Sequence, residues 1–329
     1  MTNDRLDVHM EYKSSQVSAQ SWYFTDLDDS RLNVVPPNRN NVSIDVNNPN
    51  RLIAGGGAVT DNGDTVTLFE IFTNSAYNET KIQQDHIKYK AQNAIMEATT
   101  DWTNFEVTLY AEFMAVNSNS QINIFGRSGR HIKGRPCEGT FYRVGIEVNG
   151  NMSCDAKHWH PGGIDPIEPR GGSLGDLEMM RIGIKFIVFT NKDNKTVTIR
   201  CLVDMNASNT WTEMCFVIDN GSLTASNSYL RCGDETTKVI TWGGPIIGVE
   251  IRNFPDMGIA IDKFSVREID ALAPKVVIPT PAVPFDPEAV SAPTSPPSTG
   301  YRTDLSDDDW DDDLDYPIPP WGEPGDNAP

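Results

Sequence analysis

The amino-acid sequence predicts an all-β chain, folded as an antiparallel two-sheet β-sandwich of jelly-roll type with a disordered C-terminal tail. Three observations predict it. After Asp101, ten segments alternate apolar and polar residues and are enriched in Val, Ile, Phe and Thr. Gly, Asn and Asp fill the short connections between them. Nothing between them carries the 3.6-residue apolar period of a helix. Many short strands joined by tight turns build a sandwich rather than a parallel sheet.

Taken in order, residues 1–50 are polar and rich in Asn and Asp, with SWYF (21–24) and NVSIDV (41–46) as short strands. AGGGAV (54–59) and DNGD (61–64) read as turns, and TVTLFEIFT (65–73) as a strand. Residues 79–100 hold good helix formers with weak amphipathicity, so a short helix is expected there, with His86 on its solvent side. The regular strands then follow at 105–116, 121–127, 141–148, 152–159, 181–189, 196–204, 213–219, 238–242, 246–252 and 260–269.

The 329 residues exceed the roughly 250 of a large single sandwich. The excess lies at the C-terminal end. Residues 1–270 form the sandwich domain, 271–300 a Pro-, Ala- and Ser-rich linker, and 301–329 an acidic tail. The tail holds ten acidic residues against Arg302, about half of the formal net charge of -19. Such a block of like charge cannot form a core and is expected to be disordered, with a basic protein surface as the partner it would suit. The rest of the chain is only moderately acidic, which argues against nucleic-acid binding. The opening MTNDRLDVHMEYK lacks the basic-then-apolar order of a Sec signal peptide, and no apolar run reaches the roughly 18 residues of a membrane span. The fold favours an extracellular or particle-surface setting.

Residues 121–163 carry three of the five histidines and two of the five cysteines. Within them, Asn149-Gly150-Asn151 turns the chain between two alternating strands. A three-residue loop pairing Val148 with Met152, Ile146 with Cys154 and Val144 with Ala156 gives one wholly apolar face. A two-residue turn would mix apolar and polar residues on both faces. The first register is therefore expected. It puts Arg143, Glu147, Lys157 and Trp159 on the opposite, outward face. The same alternation applied to residues 121–127 and 181–189 sends Arg127 and Lys185 outward. The predicted outer face thus carries Arg127, Arg143, Lys157, Trp159 and Lys185, a basic and aromatic surface suited to an anionic polymer.

Tyr142, His158 and His160 fall on the inward side at strand ends, where they can line a rim. His158 and His160 share one strand face, yet no third ligand is evident and no CxxC pair exists, so no metal or cofactor is expected. Cys137 and Cys154 can approach only if residues 131–139 fold back over the sheet.

The blocks DWTNFEVTLYAEF, GRSGRH, CEGTFYR, KHWHPGG, TWGGPI and FSVREI, in that order, resemble a set of bacterial and archaeal sequences. These group with the concanavalin A-like lectin/glucanase sandwiches, near alginate-lyase-like and laminin-G-like jelly rolls. The resemblance covers about residues 100–270. It implies the sandwich fold and carries over to Arg127, Arg130, His131, Cys137, Glu138, Tyr142, Lys157 and His160. Arg143 stands where the pattern has Lys, and His158 where it has Glu.

Three functions fit these residues. A carbohydrate-binding module for surface recognition or adhesion would use Arg127, Glu138, Arg143, Lys157, Trp159 and Lys185 on a polysaccharide or cell-surface glycan. A polysaccharide lyase would neutralise a uronate with Arg130 or Arg143, abstract its proton with His131 or His160, and protonate the leaving oxygen with Tyr142. A structural surface or virion component needs no site at all. A hydrolase, which needs two flanking carboxylates and finds an obvious one only in Glu138, with Asp155 less so, ranks below these three. The binding module is the expectation.

Overall fold

The computed structural model describes residues 3–16, 18–36, 40–60, 63–73, 101–128, 141–157, 165–166, 173–221 and 239–270. They form sixteen strands: β1 (Ser21–Tyr23), β2 (Leu32–Val35), β3 (Val42–Asp45), β4 (Asn48–Ala54), β5 (Ala58–Val59), β6 (Thr65–Phe72), β7 (Phe105–Phe113), β8 (Gln121–Ser128), β9 (Phe141–Glu147), β10 (Met152–Lys157), β11 (Asp165–Pro166), β12 (Arg181–Thr190), β13 (Val197–Asp204), β14 (Thr212–Asp219), β15 (Ile246–Arg252) and β16 (Ile259–Glu268). The expected helix at 79–100, His86 within it, the linker and the tail lie outside the described residues.

Two antiparallel sheets face each other, as the alternation predicts. The first runs β14-β13-β12-β7-β16-β4-β3 with β1 on β16. The second runs β11-β10-β9-β8-β15-β6-β2 with β5 on β6. The residues expected to point inward do so. Ile122, Ile124, Val144, Ile146, Ile182, Ile184, Phe186 and Val188 join one buried apolar cluster between the sheets. Burying each such side chain stabilises the fold by roughly 1.5–3 kcal/mol relative to leaving it in water, which is what holds the sheets together.

Four sequence readings change. Residues 239–242 are not a strand. Ile240 spends its backbone groups on side chains instead, its carbonyl on Arg127 and its N–H on Tyr142. Residues 58–59, expected within a turn, pair with β6. Asn48–Ala54 forms a strand although Asn and Pro open it, because β3 and β16 pair with it from either side.

The central hairpin is the fourth. Met152 pairs with Ile146, Cys154 with Val144 and Ala156 with Tyr142. This register is two residues from the expected one, so every side chain keeps its face. The N–H of Glu147 donates to the Asn151 carbonyl, and that of Gly150 to the Glu147 carbonyl. The loop is therefore Val148-Asn149-Gly150, which puts Gly150, at φ 82°, in the left-handed position that a three-residue loop requires. The Asn149–Asn151 loop would have put Asn151 there. Val148 is left free to donate its N–H to the Ser120 carbonyl.

The pairing of the cysteines, which the sequence left open with Cys137–Cys154 as one possibility, is given by the fold: Cys154 on β10 is bonded to Cys215 on β14, joining the two sheets. Cys201, opposite Cys215 on β13, is a buried free thiol, and burial raises its pKa.

Candidate functional site

One end of the sandwich gathers the ends of β6, β8, β10, β12 and β14 and the starts of β7, β9 and β15. Pairings at this end include Ile246 with Phe72 and Ser128, Phe141 with Lys157, Phe105 with Val188, and Val197 with Asp219. A buried polar cluster closes it. Arg127 sits at φ 57° where the β8–β15 register shifts. This bulge adds one residue between Phe125 and Ser128 and reverses the alternation. The Arg127 side chain therefore turns inward, correcting the expectation that it faces solvent; it is 0% exposed.

Its Nε donates to the Thr103 carbonyl at 2.9 Å, Nη2 to Thr190 Oγ1 at 2.9 Å, and Nη1 to the Ile240 carbonyl. The guanidinium lies 6.0 Å from the Tyr142 ring centre. Burial pulls its pKa down to about 10, against the opposing pull of Tyr142 and Asp219. Tyr142 is also fully buried. Its hydroxyl donates to Asp219 Oδ2 at 2.6 Å and accepts the Ile240 N–H at 3.1 Å. Burial, then the Asp219 charge, raises its pKa well above the ordinary tyrosine value. A rim position open to a substrate is thus corrected to a position inside the sandwich. Arg127 and Tyr142 from the second sheet, with Thr190 and Asp219 from the first, tie the two sheets together at this end.

Ser128 precedes Arg130, His131, Cys137 and Glu138 in the chain, and Lys157 precedes His158, Trp159 and His160. Those seven residues lie outside the described residues. Their segments leave from strand ends beside the Arg127–Tyr142–Asp219 cluster.

The expected common outer face does not form. β8, β9 and β10 belong to the second sheet and β12 to the first, so Arg143 and Lys185 lie on opposite faces of the sandwich. Arg143 does face outward from the second sheet. Its Nε and Nη2 reach Asp155 Oδ2 at 3.1 and 2.9 Å, and Ser153 Oγ donates to the same oxygen at 2.9 Å. Lys157 is placed by its backbone opposite Phe141 at the end of β10. Asn123, Glu250 and Arg252 continue this face, with Asn123 and Arg252 both donating to Glu250 Oε1. Sequence reasoning missed these partners because strand adjacency decides them.

Lys185 faces away from the inter-sheet core, as its parity requires, but it is 0% exposed. Its Nζ donates to Glu106 Oε1 at 2.8 Å and Thr108 Oγ1 at 2.9 Å, and it lies 4.3 Å from the Trp211 ring centre. Arg267 Nη2 lies 2.6 Å from Glu106 Oε1. The cover is the N-terminal segment. Val8 and Tyr12 pack there with Tyr110, Ile187, Phe189, Leu202 and Trp211 in a second apolar cluster. The N–H groups of Glu11 and Tyr12 donate to Glu106 Oε2, and Arg200 donates to Glu11 Oε2 and the Tyr12 hydroxyl. Two buried faces, not one exposed one, thus hold Arg127 and Lys185.

Among the described residues, no group of three His, Cys, Asp or Glu side chains is placed to hold a metal ion. No helix among them is long and apolar enough to cross a membrane.

No protein-family model matches the chain, and no curated protein matches it by sequence. Solved structures similar to it include a Lotus tetragonolobus seed lectin, 10% identical over 76% of this chain and 96% of that one, with a TM-score of 0.39. A Bacillus licheniformis β-glucanase is 10% identical over 77% and 98%, with a TM-score of 0.37. The carbohydrate-binding module CBM66 from Bacillus subtilis is 8% identical over 68% and 89%, with a TM-score of 0.34.

Proposed function

We propose that the protein is a carbohydrate-binding sandwich acting in surface recognition or adhesion. Its site would lie at the end closed by Arg127, Tyr142 and Asp219. The observation that supports this is the cross-sheet cluster itself. It fixes the strand ends from which the segments bearing Arg130, His131, Glu138, Trp159 and His160 depart. A rigid scaffold that presents polar and aromatic side chains on connecting segments is the usual arrangement for ligand recognition. An indole stacks on a sugar ring, while Arg and Lys pair with carboxylate or sulfate groups. Lys157, at the adjoining end of the second sheet, would add positive charge for an anionic polysaccharide, and Arg143, whose charge Asp155 balances, would add guanidinium hydrogen bonds. Arg127 and Lys185 serve packing instead.

The test is a glycan array that includes uronate-containing and sulfated polysaccharides, followed by titration calorimetry on any hit. Binding lost in Trp159→Ala and weakened in Arg130→Ala, with unfolding midpoints unchanged, is the expected result. No binding to any glycan would remove the proposal. Ultraviolet absorbance from unsaturated uronate products would replace binding by lyase activity.

A further inference from the structure

We propose that residues 3–16 form an acid-released latch over the outer face of the first sheet, in which proton uptake by His9 drives release. The geometry begins with the ring itself. His9 is 3% exposed, and among the described residues neither Nδ1 nor Nε2 has a hydrogen-bond partner. Its main chain, by contrast, is bonded: the N–H donates to Asn209 Oδ1 at 2.8 Å, and the residue bridges to Asn3. The segment is thus seated through its backbone while the imidazole is enclosed unpaired.

A neutral imidazole leaves one donor and one acceptor unmade. An imidazolium would leave two donors and a charge. The groups around it do not welcome that charge. Lys185 on β12 and Arg267 on β16 are cations, and Glu106 on β7, the carboxylate whose charge favours a protonated ring, is already shared between them. Arg200 on β13 is held by Glu11 and Glu213. On the segment itself, Asp4 accepts the N–H groups of Leu6 and Val8, and Asp7 accepts from Asn3. Burial first, then Lys185, holds the His9 pKa below 6.5; Glu106 opposes, and the amino terminus and Arg267 add to the depression.

A folded pKa below that of the released ring gives the sign. Above about pH 6.5 the ring is neutral in both states and does not bias the latch. As pH falls through 6.5, the released ring takes up a proton and the enclosed one does not, so release gains. The gain ends at the depressed folded value. Glu11 works in the other direction. Burial raises its carboxyl pKa, with Arg200 opposing, so its proton uptake favours the seated segment. Glu106, held below its ordinary 4.5, gives way only under stronger acid. From pH 6.5 downward His9 therefore favours release while Glu11 opposes it, so the difference between the parent and a variant without the imidazole isolates the His9 contribution. Release would uncover Lys185, Arg200 and Arg267 beside Tyr110, Phe189 and Trp211.

Hydrogen–deuterium exchange on the full chain tests this, at about pH 7.5 and about pH 5 and corrected for intrinsic rates. The amides of Val8, Glu11 and Tyr12 are expected to open up to about thirty-fold more at the lower pH, while those of Val107 and Ile184 stay protected. His9→Gln and His9→Phe, which cannot titrate, should both lose this increase at low pH, leaving only the opposite response of Glu11. A segment whose exchange ignores pH overturns the latch. So does the same response in both variants, which would assign it to the carboxylates.

Discussion

Replacing Glu106 by Gln keeps the size and shape of the side chain and removes only its charge. The site makes this substitution severe. Glu106 is 0% exposed and every neighbour it bonds is a donor: Lys185 Nζ, Thr108 Oγ1, and the N–H groups of Glu11 and Tyr12, with Arg267 Nη2 alongside. A carboxylate is acceptor-only and serves both sides. A carboxamide must turn its two hydrogens toward either the cations or the segment N–H groups, so one side clashes whichever way it is set. It also leaves Lys185 and Arg267 as buried charges short of a counter-ion. Removing one partner of a buried ion pair costs about 3–5 kcal/mol. With an m of about 2–3 kcal/mol per molar, the urea midpoint should fall by about 1–2.5 M.

Lys185→Met should cost less, because Glu106 keeps Arg267. Urea unfolding followed by tryptophan fluorescence measures both variants. Glu106→Gln within about 0.5 kcal/mol of the parent would refute the reasoning, since surface substitutions fall in that range. The pH dependence gives a second reading of the same group. Burial alone would raise the Glu106 pKa; Lys185 and Arg267 outweigh burial and hold it below 4.5. Its contribution is therefore fully present above pH 4.5 and is lost as pH falls through the depressed folded value.

Peptide mapping without reductant should recover Cys154 linked to Cys215 and Cys201 as a free thiol. The bond closes a separation of 61 residues, so Cys154→Ser under oxidising conditions should lose up to about 4 kcal/mol in the same urea assay. Gly150→Ala should lose more than about 1 kcal/mol. A Cβ there would meet the Gly175 carbonyl oxygen at 2.1 Å on a backbone already at φ 82°. A neutral outcome would mean that the hairpin turns elsewhere.

The two misplaced cations show how far alternation reaches. Side-chain face has a period of two, so the hairpin residues Val144, Ile146, Met152, Cys154 and Ala156 stay inside even though their register differs by two from the expected one. A one-residue insertion defeats the same logic, and Arg127 sits at one. Its sequence signal is Gly126, a glycine inside a strand, which marks a bulge or a close approach. Here a Cβ at Gly126 would lie 2.2 Å from the Phe105 ring.

Lys185 fails for a different reason. Its face was legible; its cover was not, since the segment carrying Val8 and Tyr12 is 94 residues or more from the strands it seals. Yet RIGIKFIVF is apolar at Ile187 and Phe189 as well as at its inward positions. A strand that is apolar on both faces must be covered on both. A lysine within such a run is then a buried lysine, and a buried lysine calls for a carboxylate on the next strand. In the fold that residue is Glu106, brought onto the strand beside it by the β7–β12 pairing. The carboxylate needs the strand order, which no single segment contains.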